Sequence, residues 1–398
     1  MKINKIFFNK FLIFLYPIFF ASPDLAINIG IINIRCDDII VYILFIVNMK
    51  YINIELQFLF KNFFYKIHLF LSLYAIFSML IVILIGYDNL IDMYQVIRFI
   101  GSLPYIIVLP YLLSFKEYRK AFYIGAFFAG ILYILFLYSN YTKMIDLNLM
   151  DQFKPSSLKK NISFSTLNPN AVASISVIIA WINILGYFEH KRKVVLIIAF
   201  VLMFVPIFIF ARGMSFGVIV AFIFLFFSSG VHFKNILLFL FLVILFYILI
   251  LNFVDIELLT QATNINVETG EGFSNRYLLW TQGLDLIMMS PLYGLGFATE
   301  NGQYIKYFYG HMSHNVYIHY LIELGFIGFF LFLSSIVYVI YNRYKKEKRT
   351  KDFFYKIQIA ILLSFLVTDL SDQLLYFNKY AFIVYILSLI NKREVIRK

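Results

Sequence analysis

The chain has 398 residues, of which 62% are hydrophobic and 14% charged, with a mean hydropathy of +0.83 and a formal net charge of +12. Soluble domains sit near about 45–50% apolar, and helices apolar all round need lipid or a deep core, so the composition excludes a water-soluble globular fold. The positive balance by itself would suit nucleic acid, but the basic residues fall in short stretches between apolar runs, which is the distribution of a membrane protein. The single cysteine, Cys36, excludes an intrachain disulfide framework.

In chain order, Lys2, Lys5 and Lys10 lead into the first apolar run, read as an uncleaved first span; a signal-cleavage site at Ala21-Ser22 is the alternative. Spans are expected near 7–22, 31–49, 67–86, 94–114, 121–139, 169–188, 194–211, 214–230, 235–253, 314–341, 354–370 and 376–391. The result is an all-α polytopic membrane protein with about twelve transmembrane helices, 1–398 forming a single integral membrane domain. With the N-terminus inside, the inner loops collect Lys50, Lys61 and Lys66, then Lys116, Arg119 and Lys120, then Lys191, Arg192 and Lys193, then Lys234, the run Arg343 to Lys356 and the tail from Lys392. About 24 of the 34 lysines and arginines fall inside on this count, which places both termini in the cytoplasm.

Two outer loops are long, 140–168 and 255–313, the second lying between spans nine and ten. The second is more than a linker. Ser274 suits an N-cap, Pro291 a stop, and Tyr277, Trp280, Leu284, Ile287 and Met288 recur at helical spacing, as in a helix lying on the outer membrane surface.

Ionisable groups near hydrocarbon are costly and are functional candidates by default. Arg35, Asp37, Asp38, Arg98, Arg212, Glu323, Asp369 and Asp372 all fall near the outer ends of their spans, which suggests a polar cavity opening outward; interfacial residues and structural ion pairs are the alternative. Arg212 sits in a tight hairpin between two apolar runs, where its planar fork suits a phosphate, or where it snorkels as an anchor. Arg276 occupies the first turn of the expected surface helix, an unfavourable place for a cation unless an anion binds there too. His314 opens the tenth span, where a neutral imidazole can take a proton from a sugar hydroxyl. His311, His314 and His319 do not share a helical face, so no metal is expected; Glu323 is spaced to pair with His319.

Taken together, Arg276-x-x-x-Trp280, Pro291-Leu292-Tyr293-Gly294-Leu295-Gly296, then His314-Asn315, nine residues, and Gly325-Phe326-Ile327-Gly328 resemble the O-antigen ligase/polymerase family of membrane glycosyltransferases. Glu323, Arg212-Gly213 and Asn168-Pro169-Asn170 fit the same pattern, which covers about 165–335. The resemblance implies a GT-C-like architecture in the bacterial inner membrane, with the long loops periplasmic. It implies metal-independent inverting transfer without a cofactor, from a glycan on undecaprenyl diphosphate. Arg212 and Arg276 match the positions that hold the diphosphate, and His314 matches the proposed base; Arg98, Trp280, Asn315 and Glu323 are possible supporting residues. The partners implied are the undecaprenyl-diphosphate-linked oligosaccharide, an acceptor glycan or lipid A–core, and membrane lipid, with a chain-length regulator left open and no nucleic acid. The Phe/Ile/Tyr/Asn/Lys-rich composition favours a repeat-unit polymerase over a ligase; a lipid-linked oligosaccharide flippase is the reading from another class, and it lacks an evident repeat.

The orientation has a direct check. A fluorescent protein that folds only in the cytoplasm stays bright when fused after Lys398, and alkaline phosphatase inserted near Asn264 is active. The opposite pair of results refutes the expected topology.

Overall fold

The computed structural model describes residues 5–22, 26–29, 32–146, 169–209, 211–228, 276–308, 312–376 and 379–391. The expected ninth span at 235–253, the Ser274 cap, His311 and most of the 140–168 loop lie outside the described residues. Six described helices are long and apolar enough to cross a membrane: Cys36–Phe60, Phe63–Leu84, Met93–Leu113, Lys116–Ser139, Asn170–His190 and Val316–Thr350. Val194–Phe208, Arg212–Ser228, Phe354–Thr368 and Lys379–Leu389 are shorter apolar helices. The protein is thus a polytopic helical membrane protein.

Two elements differ from expectation. The run expected as a span at 31–49 begins as an antiparallel ribbon, Ala26–Ile29 against Ile32–Arg35, with Ala26 facing Arg35. Its helix starts only at Cys36, because Asp38 accepts from the Arg35 backbone N–H at 3.1 Å and closes the first turn. A 3₁₀ turn at Met49–Tyr51 then carries the chain into Ile52–Phe60, through the stretch that hydropathy suggested was a loop. The other difference is a nine-residue helix, Glu300–Phe308, inside the second long loop.

The enclosed centre is the Pro169–His190 helix. In its apolar window 78% of residues are buried, and the fully buried Trp181 donates to Ser364 Oγ at 3.2 Å. Contacts sort the helix ends into two sets. One end holds Asn9–Asn48, the ion pairs Lys10–Glu117 and Arg119–Glu189, and the Arg343–Asn391 hydrogen bond. The other holds a buried cluster in which Arg35 and Lys379 lie 3.1 Å and 3.0 Å from Asp37, Lys379 also lies 2.8 Å from Asp38, and Tyr105 donates to Asp38 at 2.5 Å. Arg35, Asp37 and Asp38 therefore serve as structural ion pairs, the alternative raised for them from the sequence.

The Arg212–Ser228 helix packs on Phe354–Thr368 through Gly213 and Gly217, four residues apart. A Cβ at Gly217 would lie 2.1 Å from the Ser364 carbonyl oxygen, so only glycine lets the backbones approach this closely.

The Val316–Thr350 helix is broken at Gly325, which takes φ +60° and ψ −166°. That conformation is essentially restricted to glycine. The break leaves carbonyls and N–H groups unpaired, and the segment 291–296 satisfies them. Leu295 and Gly296 donate to the Ile322 and Glu323 carbonyls at 2.7 and 2.9 Å, while Phe326 and Ile327 donate to the Pro291 and Leu292 carbonyls at 2.8 and 3.3 Å. A Cβ on Gly294 would stand 2.4 Å from the Glu323 carbonyl, and one on Gly325 would stand 2.4 Å from Leu292 oxygen. Gly294 and Gly325, one glycine from each motif, are thus explained by one backbone junction.

Gly294→Ala and Gly325→Ala are each expected to destabilise the protein by at least about 1–3 kcal/mol, from backbone strain before overlap is counted. Thermal unfolding in detergent reads this out. Wild-type melting of both variants would remove the junction from the account of the fold.

Candidate active site at the His314 turn

The site is built on the turn between the second long loop and the Val316–Thr350 helix. Asn315 is the N-cap, its side chain accepting from Tyr317 and Ile318 N–H at 2.9 and 3.2 Å, and its amide donates to the Leu370 carbonyl at 3.1 Å. Val316 N–H reaches the carbonyls of Asp369 and Asp372, both at 3.1 Å. The Asp369 carboxylate accepts from Leu374 and Leu375 N–H at 2.8 and 3.1 Å and so shapes its own turn. His314, half-buried, has φ +51°, in the left-handed region that non-glycine residues rarely enter.

The residue before it is held just as firmly. Ser313 is fully buried; its N–H and hydroxyl both donate to Glu300 Oε1, at 3.1 and 2.6 Å, and its carbonyl accepts from Trp280 Nε1 at 3.1 Å. Glu300 Oε2 accepts from Gln373 at 3.0 Å and lies 2.6 Å from His319 Nδ1. The other ring nitrogen of His319 is 3.2 Å from Glu323 Oε1, the four-residue pairing expected from the sequence.

Glu323 is fully buried and anchors the whole arrangement. It accepts from Ala298 N–H at 2.9 Å, Glu300 N–H at 3.0 Å, the Gln95 amide at 3.1 Å, and the Tyr376 hydroxyl. Loop, broken helix, Met93–Leu113 and the turn that ends at Tyr376 thereby meet on one carboxylate. A buried anion with this many donors is a satisfied one.

The structure brings His314, Asn315, Trp280 and Glu323 into one constellation. Arg212 is exposed at the first position of its helix; the next residue, Gly213, packs against Ser371, beside the Leu370 that Asn315 holds. Arg276 is the first residue of the Arg276–Met289 helix, which ends just before Pro291 as expected; its side chain lies outside the described residues. Arg98 stands apart from the hydrogen-bonded cluster, exposed, with its guanidinium 5.4 Å from the Tyr94 ring centre. Gln95, not Arg98, is the residue of that helix that reaches Glu323 and His319.

Glu300, Gln95, Ser313, Gln373 and Tyr376 escaped the sequence reading. Glu300 carried a signal, as an acidic residue four positions beyond Gly296 in the motif loop. The others are neutral residues, and no spacing ties them to Glu323.

The family model described as O-antigen ligase matches residues 198–333, about a third of the chain. This is the family that the motifs resemble, over nearly the stretch that carries them, and it takes in Arg212, Arg276, Trp280, His314, Asn315 and Glu323. No curated protein matches the chain. Over that third the chain is similar to a family described as O-antigen ligase, in keeping with an enzyme of O-antigen-related glycan transfer.

The cluster makes a pH prediction. Burial alone would lift the Glu300 carboxyl, but the facing His319 and the Ser313 hydrogen bonds outweigh it and hold the group below its ordinary range. A depressed carboxylate stabilises the fold above the unfolded-state pKa, and that stabilisation disappears as pH falls through the folded one. The melting temperature is therefore expected to drop below about pH 4, and Glu300→Gln is expected to melt lower at neutral pH with a flatter acid limb. Superimposable profiles for the two proteins would contradict this.

Proposed function

We propose that this protein transfers a glycan from undecaprenyl diphosphate to a sugar hydroxyl at the periplasmic face of the bacterial inner membrane, as an O-antigen repeat-unit polymerase. The observation that carries the reading is the His314 turn. A histidine in the family's motif position is held in left-handed backbone at the helix end where Asn315 is pinned to the 369–373 turn, and Gly213, next to Arg212, packs on that same turn.

In this mechanism the acceptor hydroxyl oxygen attacks the anomeric carbon while the bond from that carbon to the diphosphate oxygen breaks, with inversion. His314 takes the hydroxyl proton as general base. Negative charge develops on the departing undecaprenyl diphosphate, and Arg212 and Arg276 neutralise it without a metal, each offering a planar pair of donors to phosphate oxygens. Trp280 and Asn315 hold the backbone on either side of His314. The topology that fits has twelve spans with both termini cytoplasmic, supported by the basic residues gathered at the helix ends opposite the His314 turn.

A ligase that moves the glycan to lipid A–core is the second reading. The nine-residue spacing from Asn315 to Gly325 and the description of the matching family favour it.

His314→Ala is expected to lower transfer at least about 100-fold with the protein still folded, the usual scale for a lost general base. Arg212→Lys and Arg276→Lys are each expected to fall well below wild type, since lysine cannot reproduce the fork; full activity in both would sink the diphosphate clamp. A glycan gel of a deletion strain separates the two readings. A single repeat on lipid A–core, with no long chains in either pool, identifies a polymerase. Long chains accumulating on undecaprenyl diphosphate above a bare lipid A–core identify a ligase.

A further inference from the structure

The backbone at His314 is unusual, and the residues on either side of it are held by buried side chains. Glu300 opens its own short helix, and its Oε1 receives both the N–H and the hydroxyl of Ser313, at 3.1 and 2.6 Å. The carbonyl of Ser313 is taken by Trp280 at 3.1 Å. On the far side, Asn315 is fixed by the helix it caps and by the Leu370 carbonyl. Between these two clamped residues the main chain at His314 adopts φ +51°, a conformation that persists only where its surroundings impose it. Glu300 is in turn oriented from behind. Its Oε2 is 2.6 Å from His319 and accepts from Gln373 at 3.0 Å, and its own N–H is bound by Glu323 at 3.0 Å. A carboxylate with this many fixed partners cannot swing to solvent, and it is 1% exposed.

We propose that Glu300 is a positioning residue for His314, acting through Ser313: it sets the backbone from which the imidazole reaches the acceptor hydroxyl. The inference rests on the reading of His314 as the base. It assigns Glu300 and Ser313 no contact with the donor, so their loss acts on turnover and leaves affinity for the lipid-linked substrate nearly unchanged. A small displacement of a catalytic group is enough to slow a reaction by one or two orders of magnitude.

The test uses the full chain, purified in lipid nanodiscs, with a synthetic polyprenyl-diphosphate oligosaccharide as donor and the matching free glycan as acceptor. Ser313→Ala removes the hydroxyl's contacts with Glu300 and with the Asn315 backbone, keeps the Ser313 N–H bond to Glu300, and should fold. It is expected to lower kcat about tenfold with the donor KM within about twofold, and Ser313→Thr, which keeps the hydroxyl, is expected to restore most of the loss. Glu300→Gln is expected to show the same split between kcat and KM. The decisive arm is the double variant. If Ser313 works through His314, then His314→Ala with Ser313→Ala is no slower than His314→Ala alone, whereas a merely structural contribution multiplies with it. Wild-type kcat in Ser313→Ala, or multiplying losses in the double variant, overturns the positioning role while leaving the base in place. Full activity in His314→Ala overturns the reading beneath it, and the two failures are thus told apart.

Discussion

Everything near the His314 turn depends on how the break at Gly325 is closed. A helix interrupted at membrane depth exposes backbone groups that hydrocarbon cannot hydrate, and each one left open costs several kcal/mol. The segment 291–296 closes the gap with four backbone hydrogen bonds, two in each direction. Fixing that junction fixes Gly296, and therefore Ala298 and Glu300, whose N–H groups converge on Glu323 only two residues before the break. Glu300 then holds Ser313, and Ser313 holds the backbone of the proposed base. The pairing of two strips of main chain is thus passed on to a histidine by side chains that are all buried.

The charges are divided between two jobs. Arg35, Asp37, Asp38 and Lys379 neutralise one another inside the protein, as do Arg119 and Glu189 at the opposite end. Removing one partner of such a pair is damaging because the other stays buried without compensation. Arg98 and Arg212, by contrast, are exposed. Among the described residues Arg212 has no acidic partner. The helix that carries it is keyed through Gly213 and Gly217 to the Phe354–Thr368 helix, whose end leads into the 369–373 turn that also anchors Asn315.

Much of this was legible in the sequence. Apolar length and the basic residues between the runs located most helices to within a few residues, since both signals are local. The four-residue spacing of His319 and Glu323 also survived as a contact, because it needs only helical geometry. What failed was whatever depends on partners distant in the chain. The start of the Cys36 helix is set by the Arg35–Asp38 capping contact, and hydropathy does not register it. The break at Gly325 is stable only because residues 291–296 lie against it, and the role of Glu300 emerges only once 300, 313, 319 and 373 are neighbours. The motif itself was visible, but no spacing in the sequence ties Gly294 to Gly325 across the junction.

That junction also bears on how such a chain can diverge. Its bonds run between main-chain groups, and Leu292 and Tyr293 turn exposed side chains away from it. Side-chain identity at those two positions can therefore drift with little penalty, provided the glycines stay. Length cannot drift in the same way. Inserting or deleting one residue between Pro291 and Gly296 shifts the register by one, sets the Ile322 and Glu323 carbonyls opposite the wrong N–H groups, and drags Glu300 away from Ser313. Leu292 and Tyr293 tolerate substitution while the segment as a whole does not tolerate insertion or deletion, the reverse of what is usual for a surface loop.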